Sequence, residues 1–138
     1  RDLLVTVLPY HPFLVKPNNH ELGDIFGVKL STREEVVPYG RKLQEMGAQN
    51  VLISMAGEGA VLIAADGQSM GAPAPKGTLV NGVGAGDSMV AGFLTGWMEK
   101  KDYVHAFHMG IAAGSASAFS ENLATREEVL QVLQQVEQ

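Results

Sequence analysis

Gly82-Val83-Gly84-Ala85-Gly86-Asp87-Ser88-Met89-Val90-Ala91-Gly92 decides the fold, because an apolar strand-like run over 77–83 gives way here to a helix-like one. Glycines remove side chains so that backbone N–H groups can close on an anion, and the first turn of the following helix adds unpaired donors and the positive end of its dipole. A carboxylate in that place is a puzzle, since Asp87 repels a bound phosphate. It is either a helix cap or a general base brought to a phosphoryl-transfer centre. Two familiar glycine loops do not fit. The spacing is G-x-G-x-G, and no acidic residue closes a second strand about twenty positions on, as a dinucleotide-binding loop requires. A Walker A loop ends in Gly-Lys-Ser/Thr, where this chain has Gly86-Asp87-Ser88.

Downstream, helical patterns run over 87–100, 103–119 and 126–136, the last behind the capping box Thr125-x-x-Glu128. Gly92, Gly96, Gly110 and Gly114 are spaced to let these helices pack closely. Upstream, Leu3, Leu4, Val7 and Leu8 predict a helix ended by Pro9, and Phe13-Leu14-Val15-Lys16 a strand closed by Pro17. Asn18 can cap a helix reaching about Gly27. Ser31-Thr32-Arg33-Glu34 has capping-box spacing and opens a helix ending near Gly47, with Val36, Leu43 and Met46 facing inward. Pro38 falls inside it, at a cost of roughly 3 kcal/mol in a helix interior, which predicts a kink or a late start. Residues 51–55, 60–65 and 68–71 read as strands, the last two joined at Asp66-Gly67. The pattern predicts one α/β domain over 1–138, a mostly parallel sheet covered by helices, without repeat or linker.

At 138 residues the chain can bury roughly 68% of its unfolded surface. Its formal charge of -5 argues against nucleic acid or an anionic membrane as partner, so an anionic substrate needs a local positive site. Without cysteine there is no disulfide, thiol nucleophile or thiolate metal site, and a reducing cytoplasm is the expected location. No apolar run reaches the roughly 20 residues of a membrane span, and no signal peptide is recognisable. The start at Arg1-Asp2 suggests a truncation.

Two further stretches carry potential chemistry. Asn18 and Glu21 lie three residues apart on a helix's first turn, where a metal-bound water could bridge them and where simple capping is the competing reading. Ser54-Met55-Ala56-Gly57-Glu58-Gly59-Ala60 lies between strands, and its glycines allow close backbone approach to a ligand or merely a hairpin turn. The four histidines, His11, His20, His105 and His108, form no recognisable ligand set, and Ser88 lacks a base with a local signature.

In order, Lys16-Pro17-Asn18-x-x-Glu21, Ser54-x-x-Gly57-x-Gly59-Ala60 and Gly84-Ala85-Gly86-Asp87-Ser88-Met89-Val90-Ala91-Gly92 resemble the carboxyl-terminal half of the ribokinase-like (PfkB) carbohydrate kinases. Phe13-Leu14-Val15-Lys16-Pro17-Asn18 and Val83-Gly84-Ala85-Gly86-Asp87-Ser88-Met89 look most like the family's bacterial 1-phosphofructokinases and tagatose-6-phosphate kinases. The likeness covers essentially the whole chain. It implies a three-layer fold of which an amino-terminal half, with the substrate signature and a β lid that often forms a dimer contact, is missing here.

The resemblance also implies roles. Asp87 would deprotonate the sugar phosphate's acceptor hydroxyl in a catalytic loop that includes Gly84, with the amides of Ala85, Gly86 and Asp87 stabilising charge on the transferring γ-phosphoryl of ATP. Asn18 and Glu21 would organise Mg2+ through water. Lys16, Asn18, Ser54, Ala56, Gly57, Glu58 and Gly59 would line the nucleotide's phosphates and ribose, and Gly110, Ala113 and Gly114 would approach the adenine. Some members bind a monovalent cation near the glycine loop. Gly82, where relatives usually have Ser, Thr or Pro, and Asn81, where many have Asp, weaken that inference for this chain.

Overall fold

Val51-Leu52-Ile53 and Ala60-Val61-Leu62-Ile63 are apolar runs too short for helices, and in the computed structural model they lie in two adjacent strands, β2 (Asn50–Ser54) and β3 (Ala60–Ile63). The structure describes residues 2–77, 84–120 and 124–137. It divides into two compact units, Arg1–Pro73 and Ala74–Gln138.

The first unit holds a sheet of order β1-β2-β3-β4, with β1 at Leu14–Val15 and β4 at Ser69–Ala72. β1 runs parallel to β2, with Leu14 opposite Asn50. β2 and β3 are antiparallel, Leu52 opposite Leu62, and so are β3 and β4, Leu62 opposite Met70. The sheet is therefore mixed rather than mostly parallel. Residues 55–59 and 64–68 are too few to cross the sheet and must return antiparallel, whereas the β1–β2 connection is long enough to carry two helices.

Those helices are α2 (Asn19–Phe26) and α3 (Arg33–Glu45); α1 (Asp2–Val7) precedes the sheet and runs into a 3-10 turn at Leu8–Tyr10. The cap of α3 is Thr32 with Glu35, one residue later than the sequence spacing suggested. Glu35 Oε1 accepts from the backbone N–H groups of both Ser31 and Thr32. α3 passes through Pro38 without a delayed start. Val36 and Leu43 are buried as expected, but Met46 is exposed, because the helix ends at Glu45 and Met46 becomes its cap. Leu22, Val36, Leu43, Val51, Ile53, Val61 and Ile63 form the centre of one apolar cluster. Gly40 makes room there: a Cβ would lie 2.7 Å from Ile63 Cγ1. Asn50 is buried and satisfied, its Nδ2 donating to Phe13 O at 2.9 Å and its Oδ1 accepting from Ala65 N–H at 2.7 Å.

The second unit is helical: α4 (Ala85–Lys100), α5 (Tyr103–Ala118) and α6 (Arg126–Glu137). Asp102 caps α5 by accepting from Val104 N–H at 2.8 Å, and the Thr125/Glu128 box caps α6. α4 and α5 touch through glycines, since a Cβ on Gly92 would lie 2.6 Å from Met109 O and from Ala113 Cβ. Phe93, Phe107, Ile111, Ala112 and Ala116 are buried. Residues 78–83, including most of the expected strand and the Asn81-Gly82 pair, lie outside the described residues. Among the described residues no helix is long and apolar enough to cross a membrane.

Candidate functional site

Gly84 is the cap residue of α4 and adopts the left-handed conformation, φ 83°, which a side chain resists. Intrahelical bonding begins with Ser88 N–H donating to Gly84 O at 2.9 Å. The N–H groups of Ala85, Gly86 and Asp87 therefore belong to the turn whose donors an α-helix leaves unpaired, at the positive end of its dipole. Asp87 is the third helical residue and is exposed. It is not the cap, and α4 has no side-chain capping bond. Among the described residues no hydrogen bond or ion pair engages its carboxylate. The capping half of the alternative posed by the sequence is thus removed, and a carboxylate stands open beside a set of amide donors.

Gly110 and Gly114, expected near a nucleotide base, are buried and turned to packing. A Cβ on Gly114 would lie 3.1 Å from Ala85 O and from Met89 Cβ, and one on Gly110 3.1 Å from Met89 O. Their lack of side chains is what brings α5 against the first turns of α4. Ala113 instead lines an open groove of about 430 Å³ in the second unit, with Ser88, Gly92, Met109, Ser117 and Leu130 around it.

The first unit brings Lys16, Pro17 and Asn18 together with Ser54. Ser54 N–H donates to Pro17 O at 3.1 Å, and Asn18 and Ser54 form an isolated parallel bridge. Asn18 and Glu21 make a reciprocal capping box. Asn18 Oδ1 accepts from Glu21 N–H at 2.7 Å and Glu21 Oε1 accepts from Asn18 N–H at 2.9 Å. This is the capping reading of the pair, and it leaves Glu21 Oε2 outside the box. Among the described residues no cluster of three or more His, Cys, Asp or Glu could hold a metal directly. The free oxygen of the half-buried Glu21, with phosphate oxygens and water, is nonetheless a donor set that Mg2+ accepts, because it keeps several waters and needs few protein ligands.

After β2, Ala56–Glu58 makes a 3-10 turn whose residues are exposed, with Ala56 at φ 48°. The two glycines of this loop differ in their reasons. A Cβ on Gly59, φ 98°, would collide with the Ala72 carbonyl and Pro73, so this close approach is to the chain's own backbone. Gly57 has open space around it, and with Ala56 and Glu58 it is the part of the loop available to a ligand. Sequence reasoning had no signal for Asn50, which ties the approach to β1, β2 and the β3–β4 turn together, nor for the hydroxyl of Ser117, which lies 2.9 Å from that of Ser88.

Comparison with known proteins identifies the family and the fold. The family described as pfkB family carbohydrate kinase matches residues 1–130. The chain is 50% identical over 135 residues to a 1-phosphofructokinase of Bacillus subtilis, covering 98% of this chain and 44% of the relative. It is 35% identical over 136 residues to a D-tagatose-1-phosphate kinase of Bacillus licheniformis, covering 98% and 44%. A solved Staphylococcus aureus protein described as a candidate phosphofructokinase superposes with a TM-score of 0.92 at 40% identity, again over 98% of this chain and 44% of that one. The chain thus spans less than half the length of the relatives it matches, and its α/β fold is ribokinase-like. With the family match running over residues 1–130, the chain belongs to the pfkB family of carbohydrate kinases.

Proposed function

We propose that this chain is the carboxyl-terminal, nucleotide-binding and catalytic-base half of an ATP-dependent sugar-phosphate kinase of the cytoplasm, converting fructose 1-phosphate to fructose 1,6-bisphosphate once the substrate-binding half completes it. The observation that carries this reading is Asp87, exposed in the first turn of α4 among the amide donors that open the helix, while the cap position belongs to Gly84. Asp87 takes the proton of the acceptor hydroxyl as the oxygen attacks the γ-phosphorus, and the bond to the β-phosphate oxygen breaks to release ADP. The amides of Ala85, Gly86 and Asp87 stabilise the charge on the transferring group. Glu21 and Asn18 would hold Mg2+ through water, and the metal would supply neutralisation of the phosphate charge. Lys16, the exposed turn at Ala56–Glu58 and Ala113 on its groove are the surfaces offered to ATP. The completed enzyme is proposed to be a homodimer, and 1–138 one partial domain of it.

The expected test is Asp87→Asn in the complete kinase. kcat should fall by roughly 10² to 10⁴ with nucleotide affinity largely kept, and near-normal kcat would exclude the base. A second acceptor is favoured by the name of the Bacillus licheniformis relative, D-tagatose 1-phosphate rather than the 6-phosphate considered from sequence. Comparing kcat/KM for the two 1-phosphates separates them, and ATP binding without turnover on either would point to a nucleotide sensor.

A further inference from the structure

Ser117 lies in the last turn of α5, is 4% exposed, and puts its Oγ 2.9 Å from Oγ of Ser88, the residue that follows Asp87. We propose that this hydroxyl pair is a positioning device that fixes the rotation of the first turn of α4, and so the aim of the Asp87 carboxylate and of the Ala85–Asp87 amides. The proposal rests on Asp87 being the general base.

Two other side-chain contacts join the pair, His105 with Glu99 at 3.1 Å and Trp97 stacked on Tyr103, but both lie at the far end of α4, about three turns from Asp87. α4 starts from Gly84 with no side-chain capping bond, so its entry is not pinned from upstream by a cap. The α4–α5 crossing is built on Gly92, Gly96, Gly110 and Gly114, whose close contacts are with backbone, Ala113, Met89, Phe93 and Met109. Such a crossing brings the backbones together but offers few of the side-chain ridges that interlock two helices in one rotation. A hydroxyl–hydroxyl bond is directional, weakening steeply as its angle departs from linear, and it joins the two helices at the turn where Asp87 projects. The α5 end of the pair is itself held. Ser120 Oγ lies 2.9 Å from Ala116 O and 3.0 Å from Glu128 Oε2, while Glu128 Oε1 accepts from Thr125 N–H at 2.8 Å, so the end of α5 is tied to the start of α6. Ser120 N–H donates in turn to Ser117 O at 3.3 Å, so hydrogen bonds run from the capped start of α6 through Ser120 and Ser117 to the residue beside Asp87.

The experiment compares Ser117→Ala, Ser88→Ala, the double variant and Ser88→Thr in the complete kinase, with Asp87→Asn alongside. Positioning predicts that each alanine lowers kcat about tenfold, as small misplacements of a reacting group do. It also predicts KM for ATP within about twofold, since an interaction made only in the transition state leaves ground-state binding alone. The double variant should be no worse than either single one. Ser88→Thr keeps the hydroxyl beside the open groove and should keep kcat. Alanine variants with unchanged kcat and only a lower melting midpoint would reduce the pair to a structural bond and overturn the proposal. A raised KM for ATP at unchanged kcat would overturn it equally, by moving the pair to nucleotide binding. Should Ser117→Ala fail to fold, Ser88→Ala at the half-buried partner decides. If Asp87→Asn retains kcat, the base reading has failed; if it loses kcat while the serine variants do not, only the positioning has.

Discussion

Glu21 holds the first turn of α2 with one carboxylate oxygen and leaves the other outside the capping box, so a single side chain can serve structure and metal at once. Glutamine separates the two tasks, because its carbonyl oxygen can still accept from Asn18 N–H while the charge is gone. In the complete kinase Glu21→Gln is expected to raise the Mg2+ concentration giving half-maximal kcat several-fold with the melting midpoint nearly unchanged, as loss of a ligand-orienting contact does at metal sites. A magnesium titration of kcat beside a thermal melt checks this, and an unchanged titration would leave Glu21 a cap alone. Asn18 was readable as a cap from its place after Pro17 and three residues before a glutamate. Asn50 was not readable, because its partners, Phe13 O and Ala65 N–H, are brought to it only by the sheet.

Capping also sets how the elements respond to acid. Glu128 is held below the ordinary carboxylate value of 4.5, chiefly by the Thr125 N–H and then by the Ser120 and Thr125 hydroxyls. Glu35 is lowered similarly, by the backbone N–H groups of Ser31 and Thr32. A carboxylate lowered by folding adds stability that is fully present above its unfolded pKa and is lost as pH falls through the folded one. Thermal melts of the chain from about pH 6 to about pH 3 should therefore show the midpoint falling below the ordinary carboxylate range, and Glu128→Gln should flatten part of that fall. An identical profile in the variant would mean that the α6 cap does not contribute. At this scale the helices were legible because caps and periodicity are local. The box at Thr32 rather than Ser31 was missed by one residue, since both positions carry a hydroxyl and three residues on stands a glutamate in either case.

For the whole molecule, a chain spanning 44% of its Bacillus subtilis relative should not turn over by itself, even with Asp87, the Ala56–Glu58 turn and the Asn18/Glu21 box in place. Holding two reactants in the reacting geometry is worth roughly 7 to 11 kcal/mol of barrier, and the proposed substrate half would hold the acceptor. A coupled assay with ATP, Mg2+ and fructose 1-phosphate should find no activity in the 138-residue chain and activity in the complete kinase. Turnover by the chain within about tenfold of the complete enzyme would place the acceptor site here and overturn the division. The mixed sheet also belongs to this scale. Strand positions were legible from apolar runs, but a mostly parallel arrangement was expected, and connection length decided otherwise.

The elements, their order, and the glycine loop leading into a helix that bears Asp87 were legible along the chain alone, because propensity, capping and backbone freedom are properties of neighbouring residues. What those residues are free to do follows from the folded molecule. It showed Asp87 exposed and without a capping bond, Gly59, Gly110 and Gly114 used for the chain's own close contacts, and Ser117 beside Ser88. Each of these depends on which atoms far apart in sequence meet, and a residue's neighbours along the chain carry no record of that.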